Sequence, residues 1–231
     1  MRLDKFIAEN SGLTRSQATR VLRQGRVTVN GCEQKCGAEK VSFADRICLD
    51  GDLLEWVEEG AYLMFYKPQG CVCSNDDGDY PTIFQFFEYP LAGRLHCAGR
   101  LDADTTGLVL LTDDGQWSHR ITSPKHRCEK TYLVTLADPV ESHYQQACEQ
   151  GILLRGEKLP TKPAKLDIID DYNVNLTISE GRYHQVKRMF AALGNKVTGL
   201  HRWRIGDVVL DEGLQEGEFR SLTPTEIKFF N

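Results

Sequence analysis

Apolar residues recur at helical spacing near the start of the chain, and the residues between them mark where each helix begins and ends. The helix-spaced apolar positions are Leu3, Phe6, Ile7, Ala18, Val21 and Leu22. Asn10-Ser11-Gly12 ends the first predicted helix, and Thr14 with Gln17 forms a capping box that begins the second. Gly25 ends that second helix. The pattern therefore predicts a pair of short helices.

A short strand and a tight turn follow the helix pair. Val27-Thr28-Val29 has the β-branched content of a strand, and Asn30-Gly31 favours the type I′ turn of a hairpin. We therefore predict a small two-helix, β-hairpin module. The stretch Glu58-Glu59-Gly60 marks its end, so residues 1–59 are assigned to this module and residues 60–231 to a larger domain.

The larger domain alternates between predicted strands and helices. The predicted strands are Tyr62–Tyr66, Leu108–Thr112, Lys130–Leu136 and Val174–Ile178. The predicted helices are 116–121, 140–150 and 180–190, with a short buried helix at Ile83, Phe86 and Phe87. Polar turns or loops are predicted at 67–70, 75–79 and 113–115. Strands joined by hairpins and occasional helices are typical of an α+β fold, with a mostly antiparallel mixed sheet flanked by helices.

Composition places the chain among ordinary globular proteins. It has 231 residues, of which 41% are hydrophobic, and no apolar run approaches the length of about 18 residues that a membrane span needs. The N-terminus has no apolar stretch of the signal-peptide kind, so we expect a cytoplasmic protein with no membrane partner. Its eight cysteines should stay reduced, and their spacing does not match a zinc site. The sequence also shows no nucleotide-binding motif, so we expect neither a metal nor a cofactor.

Charge is distributed unevenly. The net charge of −5 argues against a nucleic-acid partner, but two segments are strongly basic. Residues 1–31 carry six lysines or arginines against two acids, and residues 182–206 carry basic residues and no acid. In the second predicted helix, Arg20 and Arg23 point roughly opposite the apolar side. Two basic patches on an acidic body indicate an oriented surface for a polyanion, although a solvated helix face has the same composition.

Charged residues immediately precede the most apolar strand. In His96–Gly115, the residues Arg100, Asp102 and Asp104 stand just before Leu108–Thr112. Because buried charges are costly unless paired, these side chains should line a cleft or a surface loop. Aspartate and glycine also form ordinary turns, so two interpretations stand: a solvated loop, or a carboxylate nucleophile at Asp102 beside Arg100.

The predicted helix near residue 185 has one apolar and one basic face. The apolar face is formed by Val186, Met189, Phe190 and Leu193. The opposite face carries His184, Lys187 and Arg188, and Arg182 is near the helix start. A basic face on an anchored helix can bind phosphate or stabilise a carboxylate.

The N-terminal segment resembles a known RNA-binding module. Residues 13–18 and 25–31 are similar to the S4-like module in both residue type and spacing. The resemblance implies that Arg15, Arg20, Arg23 and Arg26 contact RNA phosphates, which position the partner without reading its sequence.

Three further motifs, taken together, resemble the pseudouridine synthases. They are Gly99-Arg100-Leu101-Asp102 with Thr106-Gly107-Leu108, Lys130-Thr131-Tyr132, and Glu180-Gly181-Arg182 through Lys187-Arg188. The match extends over essentially the whole chain and points to the branch that joins an S4-like module to the catalytic domain and modifies ribosomal RNA. The resemblance implies isomerisation of one uridine in small-subunit (16S) RNA, by a monomer that acts on free RNA or on an assembly intermediate with ribosomal proteins.

The resemblance also implies roles for individual residues. Asp102 matches the catalytic aspartate, Tyr132 the tyrosine that stacks on the target base and can assist proton removal, and Lys187 the cation that pairs with the aspartate. Most relatives have arginine at position 187, so lysine keeps the charge and loses the two-pronged geometry. The residues expected to bind substrate are Arg100, Arg182, His184, Gln185 and Arg188.

Several alternatives fit the same residues. A carboxylate at position 102 could attack the sugar carbon or C6 of the uracil ring, and Arg100 could hold a phosphate or pair with Asp104. Two other functions are conceivable: a non-catalytic RNA-binding factor in ribosome assembly, or a glycoside-type hydrolase that uses Asp102 and Asp104.

Overall fold

A computed structural model of the chain describes residues 1–42, 44–55, 60–74, 78–88 and 91–231. The chain forms two compact units, one made of residues 1–60 with 87–95, the other of residues 61–86 with 96–231. The predicted boundary at residues 58–59 and most of the predicted loop at 75–79 lie outside the described residues. In the described part, no helix has the length and apolarity to cross a membrane.

The first unit begins with the predicted helix pair. Its helices are α1 (Leu3–Ser11), α2 (Arg15–Arg23) and α3 (Leu91–Arg94). Gly12 ends α1 in the left-handed conformation (φ 70°), and Thr14 and Gln17 form the expected capping box of α2. The apolar faces of α1 and α2 pack into one core with Val27 and Ile47. The capping signals therefore placed the end of α1 and the beginning of α2 correctly.

A four-stranded sheet completes the first unit, and only half of it was predicted. Its strands are β1 (Val27–Val29), β2 (Cys32–Glu33), β3 (Ile47–Leu49) and β4 (Asp52–Leu54), in the order β2-β1-β3-β4. Asn30 and Gly31 both have positive φ, as a type I′ turn requires. Asp50 and Gly51 repeat this geometry between β3 and β4. Asp50-Gly51 is also a sequence signal for a hairpin turn, but this second hairpin was not predicted.

The second unit is built on one large sheet. Its strands are β5 (Tyr62–Lys67), β6 (His96–Cys97), β7 (Thr106–Thr112), β8 (Lys130–Leu136), β9 (Lys165–Ile168), β10 (Asn173–Ile178), β11 (Val197–Ile205), β12 (Val208–Val209) and β13 (Phe219–Ser221). They run in the order β13-β5-β7-β11-β8-β10-β9, with β12 paired to β11 and β6 to β7. The β7–β11 pair is parallel and the other described pairs are antiparallel. The predicted mixed, mostly antiparallel sheet is confirmed.

Short helices flank this sheet. They are α4 (Gly115–Thr122), α5 (Tyr144–Gln150), α6 (Gln185–Ala192), α7 (Pro224–Lys228) and a 3-10 turn at Ile83–Phe86. Trp117 of α4 is fully buried between Tyr62 and Phe230, which closes a core with Leu108 and Leu110 of β7. The apolar strand predicted directly after the charged loop thus lies at the centre of the domain.

Three local predictions need correction. Asp113–Gly115 is not a free-standing turn, because Asp114 caps α4 by accepting hydrogen bonds from the backbone of Gln116 and Trp117. The helix predicted from residue 140 begins only at Tyr144. Lys67, predicted in a turn, is the last residue of β5 and is fully buried.

Strand register places three important residues side by side. Gly107 on β7 is opposite Arg202 on β11, and Arg202 is opposite Tyr132 on β8. A Cβ at Gly107, whose φ is 107°, would overlap the Arg202 carbonyl oxygen, so only glycine permits this close approach. The loop before β7, which carries Asp102, is thereby brought to the end of the sheet where Tyr132 lies.

Candidate active site

Asp102 and Asp104 share one lysine. The Lys187 Nζ atom lies 3.1 Å from Asp102 Oδ2 and 2.6 Å from Asp104 Oδ1. Asp102 is also 3.4 Å from Nε2 of His184 through its other oxygen. The loop before β7 and the start of α6 therefore meet in a cluster of two carboxylates, one ammonium and one imidazole.

Electrostatics keep part of this cluster ionised. Partial burial would raise the pKa of Asp104, but the hydrogen bond and charge of Lys187 outweigh it and hold that pKa below its usual value. Burial likewise acts to lower the pKa of Lys187, and its hydrogen bonds to Asp104 and Asp102 reverse the effect and raise it. Lys187 is therefore a permanent cation beside both carboxylates at neutral pH.

The position of Lys187 and His184 is fixed by helix α6, whose apolar face is anchored in the protein interior. Val186, Met189 and Phe190 are buried, as the apolar periodicity predicted. His184 precedes the helix in the left-handed conformation, with φ 48°. A non-glycine residue in this conformation is uncommon and often marks a functional position.

Tyr132 lines the same cavity as the charged cluster. The cavity has a volume of about 860 Å³, and Asp102, Tyr132 and Lys187 all contribute to its wall. Tyr132 is 8% exposed, and no side chain in the described part of the chain hydrogen-bonds its hydroxyl. A core tyrosine normally finds such a partner, so this hydroxyl is available to a molecule inside the cavity.

Other predicted substrate-binding residues already have partners. Arg182 donates to the carbonyl oxygens of Leu159 (2.9 Å) and Pro160 (2.6 Å). Gln185 is buried and donates to Glu180 Oε1 at 3.0 Å. These side chains therefore shape the cavity wall.

Two further arginines that were predicted to bind substrate, Arg188 and Arg100, differ in whether they already have partners. Arg188 donates to the carbonyl oxygens of Tyr183 and Arg155 and pairs with Glu157 at 3.0 Å. Arg100 is exposed at the cavity, and in the described residues no carboxylate pairs with it. Asp104, which the sequence offered as a possible partner for Arg100, pairs with Lys187 instead, and the Arg100 side chain is open to the cavity.

Two cysteines also line the cavity. Cys73 lies beside the loop that carries Asp102 and accepts a hydrogen bond from the backbone of Leu101 at 3.4 Å. A hydrogen bond from Cys97, opposed by burial, lowers the pKa of Cys73 to about 7, and the same pairing raises that of Cys97. All eight cysteines are free, and no group of three potential metal ligands occurs in the described residues.

Comparison with known families decides how this site should be interpreted. Residues 61–192, which contain Asp102, Tyr132 and Lys187, match the model of the RNA pseudouridylate synthases. The chain belongs to the RNA pseudouridylate synthase family. Residues 1–47 match the S4 domain, which confirms the similarity inferred from residues 13–18 and 25–31.

Named pseudouridine synthases are similar over the full length. The chain is 77% identical over 231 residues to ribosomal small subunit pseudouridine synthase A of Pasteurella multocida, with both chains fully covered. It is 56% identical over 227 residues to the protein of that name from Escherichia coli, with 98% of each chain covered. A crystal structure of a pseudouridylate synthase matches all of both chains at 74% identity and a TM-score of 0.74.

Arg202 of this pseudouridylate synthase was misjudged from the sequence. It was counted in a basic surface patch, but it is 2% exposed and its guanidinium lies 6.0 Å from the centre of the Tyr132 ring. Its Nε donates to the carbonyl of Leu108 at 2.9 Å. Arg202 therefore supports the cavity floor from inside the sheet, and a basic run in sequence gives no signal for such burial.

Lys67 was also missed, and it supports the loop that carries Asp102. Its Nζ donates to the carbonyl oxygens of Pro68 (3.0 Å), Ala103 (3.4 Å) and Thr105 (2.8 Å). Burial lowers the pKa of Lys67, and the three acceptors offset the cost of placing an ammonium in the interior. Lys67 is close in sequence only to Pro68, so its contact with the loop that carries Asp102 could not be predicted from the sequence.

Replacing this lysine tests its role in stability. We expect Lys67→Met to lower the free energy of unfolding by about 2–4 kcal/mol, because carbonyls at Ala103 and Thr105 lose a buried donor. Urea unfolding followed by circular dichroism measures the change. Lys165→Met, at a strand lysine whose side chain is 74% exposed, is the control and should change stability little. Equal stability of both variants would remove Lys67 from this role.

The S4 domain presents part of the predicted basic surface. Arg15, Arg20, Arg23 and Arg26 are all exposed. Arg26 forms a two-pronged pair with Asp50, at 2.8 and 2.5 Å, and Arg15 lies 3.3 Å from Asp4. Arg20 and Arg23 line a groove along α2 and have no carboxylate partner within the described residues. They are thus the cations most available to a polyanion.

Proposed function

We propose that this enzyme isomerises a specific uridine of small-subunit ribosomal RNA to pseudouridine, with Asp102 as the nucleophile. The observation that carries the proposal is the cavity in which Asp102, paired at 3.1 Å with Lys187, lies with Tyr132. The RNA substrate is inferred from relatives that match at least 98% of the chain and are ribosomal small subunit pseudouridine synthases. Residues 60–231 form the catalytic domain, and residues 1–59 the RNA-binding module.

The reaction requires no external reagent. The target uridine leaves its stack and enters the cavity, where Tyr132 replaces the lost stacking. The Asp102 carboxylate adds to the nucleotide, at the sugar carbon or at C6, while the N1 glycosidic bond breaks. The uracil then turns and C5 bonds to the same sugar carbon. C5 loses its proton, N1 gains one, and Asp102 is released unchanged, so atoms and electrons balance.

Lys187 and Arg100 complete the site. The ammonium of Lys187 pairs with the Asp102 carboxylate at 3.1 Å and orients it toward the cavity. Arg100, exposed at the cavity, contacts a phosphate of the flipped nucleotide. The free hydroxyl of Tyr132 assists removal of the C5 proton.

A hydrolase fits these residues less well. Glycoside hydrolysis needs one protonated carboxylic acid with a raised pKa. Here both carboxylates bind the same ammonium, and the pKa of Asp104 is lowered. Neither carboxylate therefore has the apolar surroundings that would let it act as the acid.

Tritium release from RNA labelled at uracil C5 distinguishes the candidate functions. An isomerase releases tritium and leaves the chain intact, a binding protein releases none, and a hydrolase liberates free base. We expect release from small-subunit RNA with no free uracil. Sequencing of modified positions in RNA from cells with and without the protein would then identify the uridine. Absence of release from free RNA and from partly assembled subunits alike would contradict the proposal.

The contribution of the S4 domain is predicted to be electrostatic. We expect Arg20→Gln/Arg23→Gln to weaken RNA binding and to reduce the slope of log affinity against log salt by about 1–2. Each phosphate contact releases counterions from the RNA when it forms, so the loss of two contacts makes binding less dependent on salt. Filter binding over a range of potassium chloride concentrations measures the slope.

A matched double variant controls for net charge. Lys35→Gln/Lys165→Gln also removes two positive charges, from side chains that are 65% and 74% exposed and lie outside the proposed surface. It should leave the slope nearly unchanged. If both double variants reduce the slope equally, general charge rather than the α2 surface controls binding.

A further inference from the structure

Tyr183 lies at the rim of the catalytic cavity and is unusually exposed for an aromatic residue there. It is 75% exposed, yet it lines the same cavity as Asp102 and Lys187. One face of its ring stacks on the imidazole of His184, with centroids 3.8 Å apart and planes 19° from parallel. Since His184 lies 3.4 Å from Asp102, the ring is joined to the reacting carboxylate through a single intervening side chain. Because the residue is 75% exposed, most of the ring surface that does not stack on His184 is open to solvent.

The backbone that carries the ring is held in position by its neighbours. The carbonyl oxygen of Tyr183 accepts a hydrogen bond from Arg188 at 3.0 Å. The preceding peptide is fixed as well, because the backbone of Arg182 donates to the buried Gln185 side chain at 2.8 Å. A pre-positioned aromatic ring loses little conformational entropy when it binds a planar partner.

The surroundings favour a nucleic-acid partner for the free face. Residues 182–206 contain no acid, so the phosphates beside a bound base meet no like charge from this segment. Every nucleobase has a π-face that can stack on an exposed aromatic ring. Tyr132 cannot serve a base outside the cavity, because it is only 8% exposed within it.

We propose that Tyr183 stacks on the nucleobase immediately next to the uridine that enters the cavity. Flipping one base out of a strand removes a stacking partner from its neighbour, and the open face of Tyr183 replaces that partner. Tyr183 is thus a substrate-positioning residue at the cavity rim, separate from the target-base contact assigned to Tyr132. This inference rests on the proposed function.

Kinetics of tritium release test the role of the ring. We expect Tyr183→Ala to raise KM about tenfold, equivalent to about 1.4 kcal/mol, with a smaller change in kcat. Tyr183→Phe keeps the ring and should retain the wild-type KM, whereas Tyr183→Leu should behave like Tyr183→Ala. The control is Tyr172→Ala, at a tyrosine that is 45% exposed in the turn before β10, and it should not change KM.

A fluorescence measurement identifies the stacked base directly. After the modified uridine has been mapped, 2-aminopurine replaces its 5′ or its 3′ neighbour in an RNA fragment bound to the Asp102→Asn protein. Stacking on Tyr183 quenches the probe at one of the two positions, and adding Tyr183→Ala restores the emission. The two probe positions decide which neighbour is held.

The outcomes separate this inference from the proposed function. An unchanged KM together with unchanged quenching in Tyr183→Ala overturns the stacking role, and so does a Tyr183→Phe protein as impaired as Tyr183→Ala. A wild-type protein that releases no tritium overturns the proposed function instead. Circular dichroism of each variant checks that the fold is intact, as expected for so exposed a side chain.

Discussion

Asp102→Asn is expected to lower tritium release from C5-labelled RNA by at least about 10⁴-fold, because removal of a covalent nucleophile eliminates the step on which the others depend. The amide has nearly the same shape as the carboxylate, so the cavity should persist. Affinity for RNA should stay within about twofold of the wild type, because phosphate contacts elsewhere supply most of the binding energy. Single-turnover tritium release and filter binding measure the two quantities.

Asp104→Asn is the matched control for this substitution. Asp104 stands two residues away, binds the same ammonium at 2.6 Å, and has a side chain that is 62% exposed. Its replacement leaves Lys187 free to pair with Asp102 and should cost less than about tenfold in rate. Release at the wild-type rate by Asp102→Asn, or equal losses in both variants, would remove Asp102 from the nucleophile's role.

The parts of the fold that could be predicted from the sequence are those set by residues close together in the chain. The capping box at Thr14 and Gln17 and the Asn30-Gly31 turn depend on hydrogen bonds and backbone conformation within a few residues. They could therefore be read one segment at a time. The alternation at Val174, Leu176 and Ile178 likewise gave the buried face of β10, since side chains in a strand alternate between its two faces.

What the sequence concealed depends on contacts between distant segments. Lys67 and Thr105 are 38 residues apart, and the pairing of β5 with β7 brings the lysine beneath the loop that carries Asp102. Arg202 stands among basic residues that look solvated, yet it lies on a central strand where register, not composition, decides burial. The family resemblance was what singled out Asp102, Tyr132 and Lys187 as one set of candidate catalytic residues. The geometry adds that Lys187 serves two carboxylates and that Arg182, Gln185 and Arg188 are committed to local partners.

Lys187→Met should reduce kcat by about 10²- to 10³-fold, because two carboxylates that share one counter-charge would then face each other without it. Proton binding to the pair becomes easier when that charge is removed, so the acidic limb of the kcat–pH profile should move to higher pH. Methionine approximates the length of the lysine chain, which limits the change to the charge.

Lys187→Arg distinguishes charge from shape at this position. The Nζ atom of Lys187 reaches Asp102 at 3.1 Å and Asp104 at 2.6 Å, so both carboxylates lie within reach of one cationic group. A guanidinium fork can contact both at once. We therefore expect Lys187→Arg to stay within about tenfold of the wild-type kcat and to keep the wild-type acidic limb. Measurement of kcat by tritium release from pH 5 to 9 compares the two variants. If the arginine variant is as slow as the methionine variant, the position of the ammonium, and not its charge alone, controls Asp102; if both retain full activity, the pairing seen here does not serve catalysis.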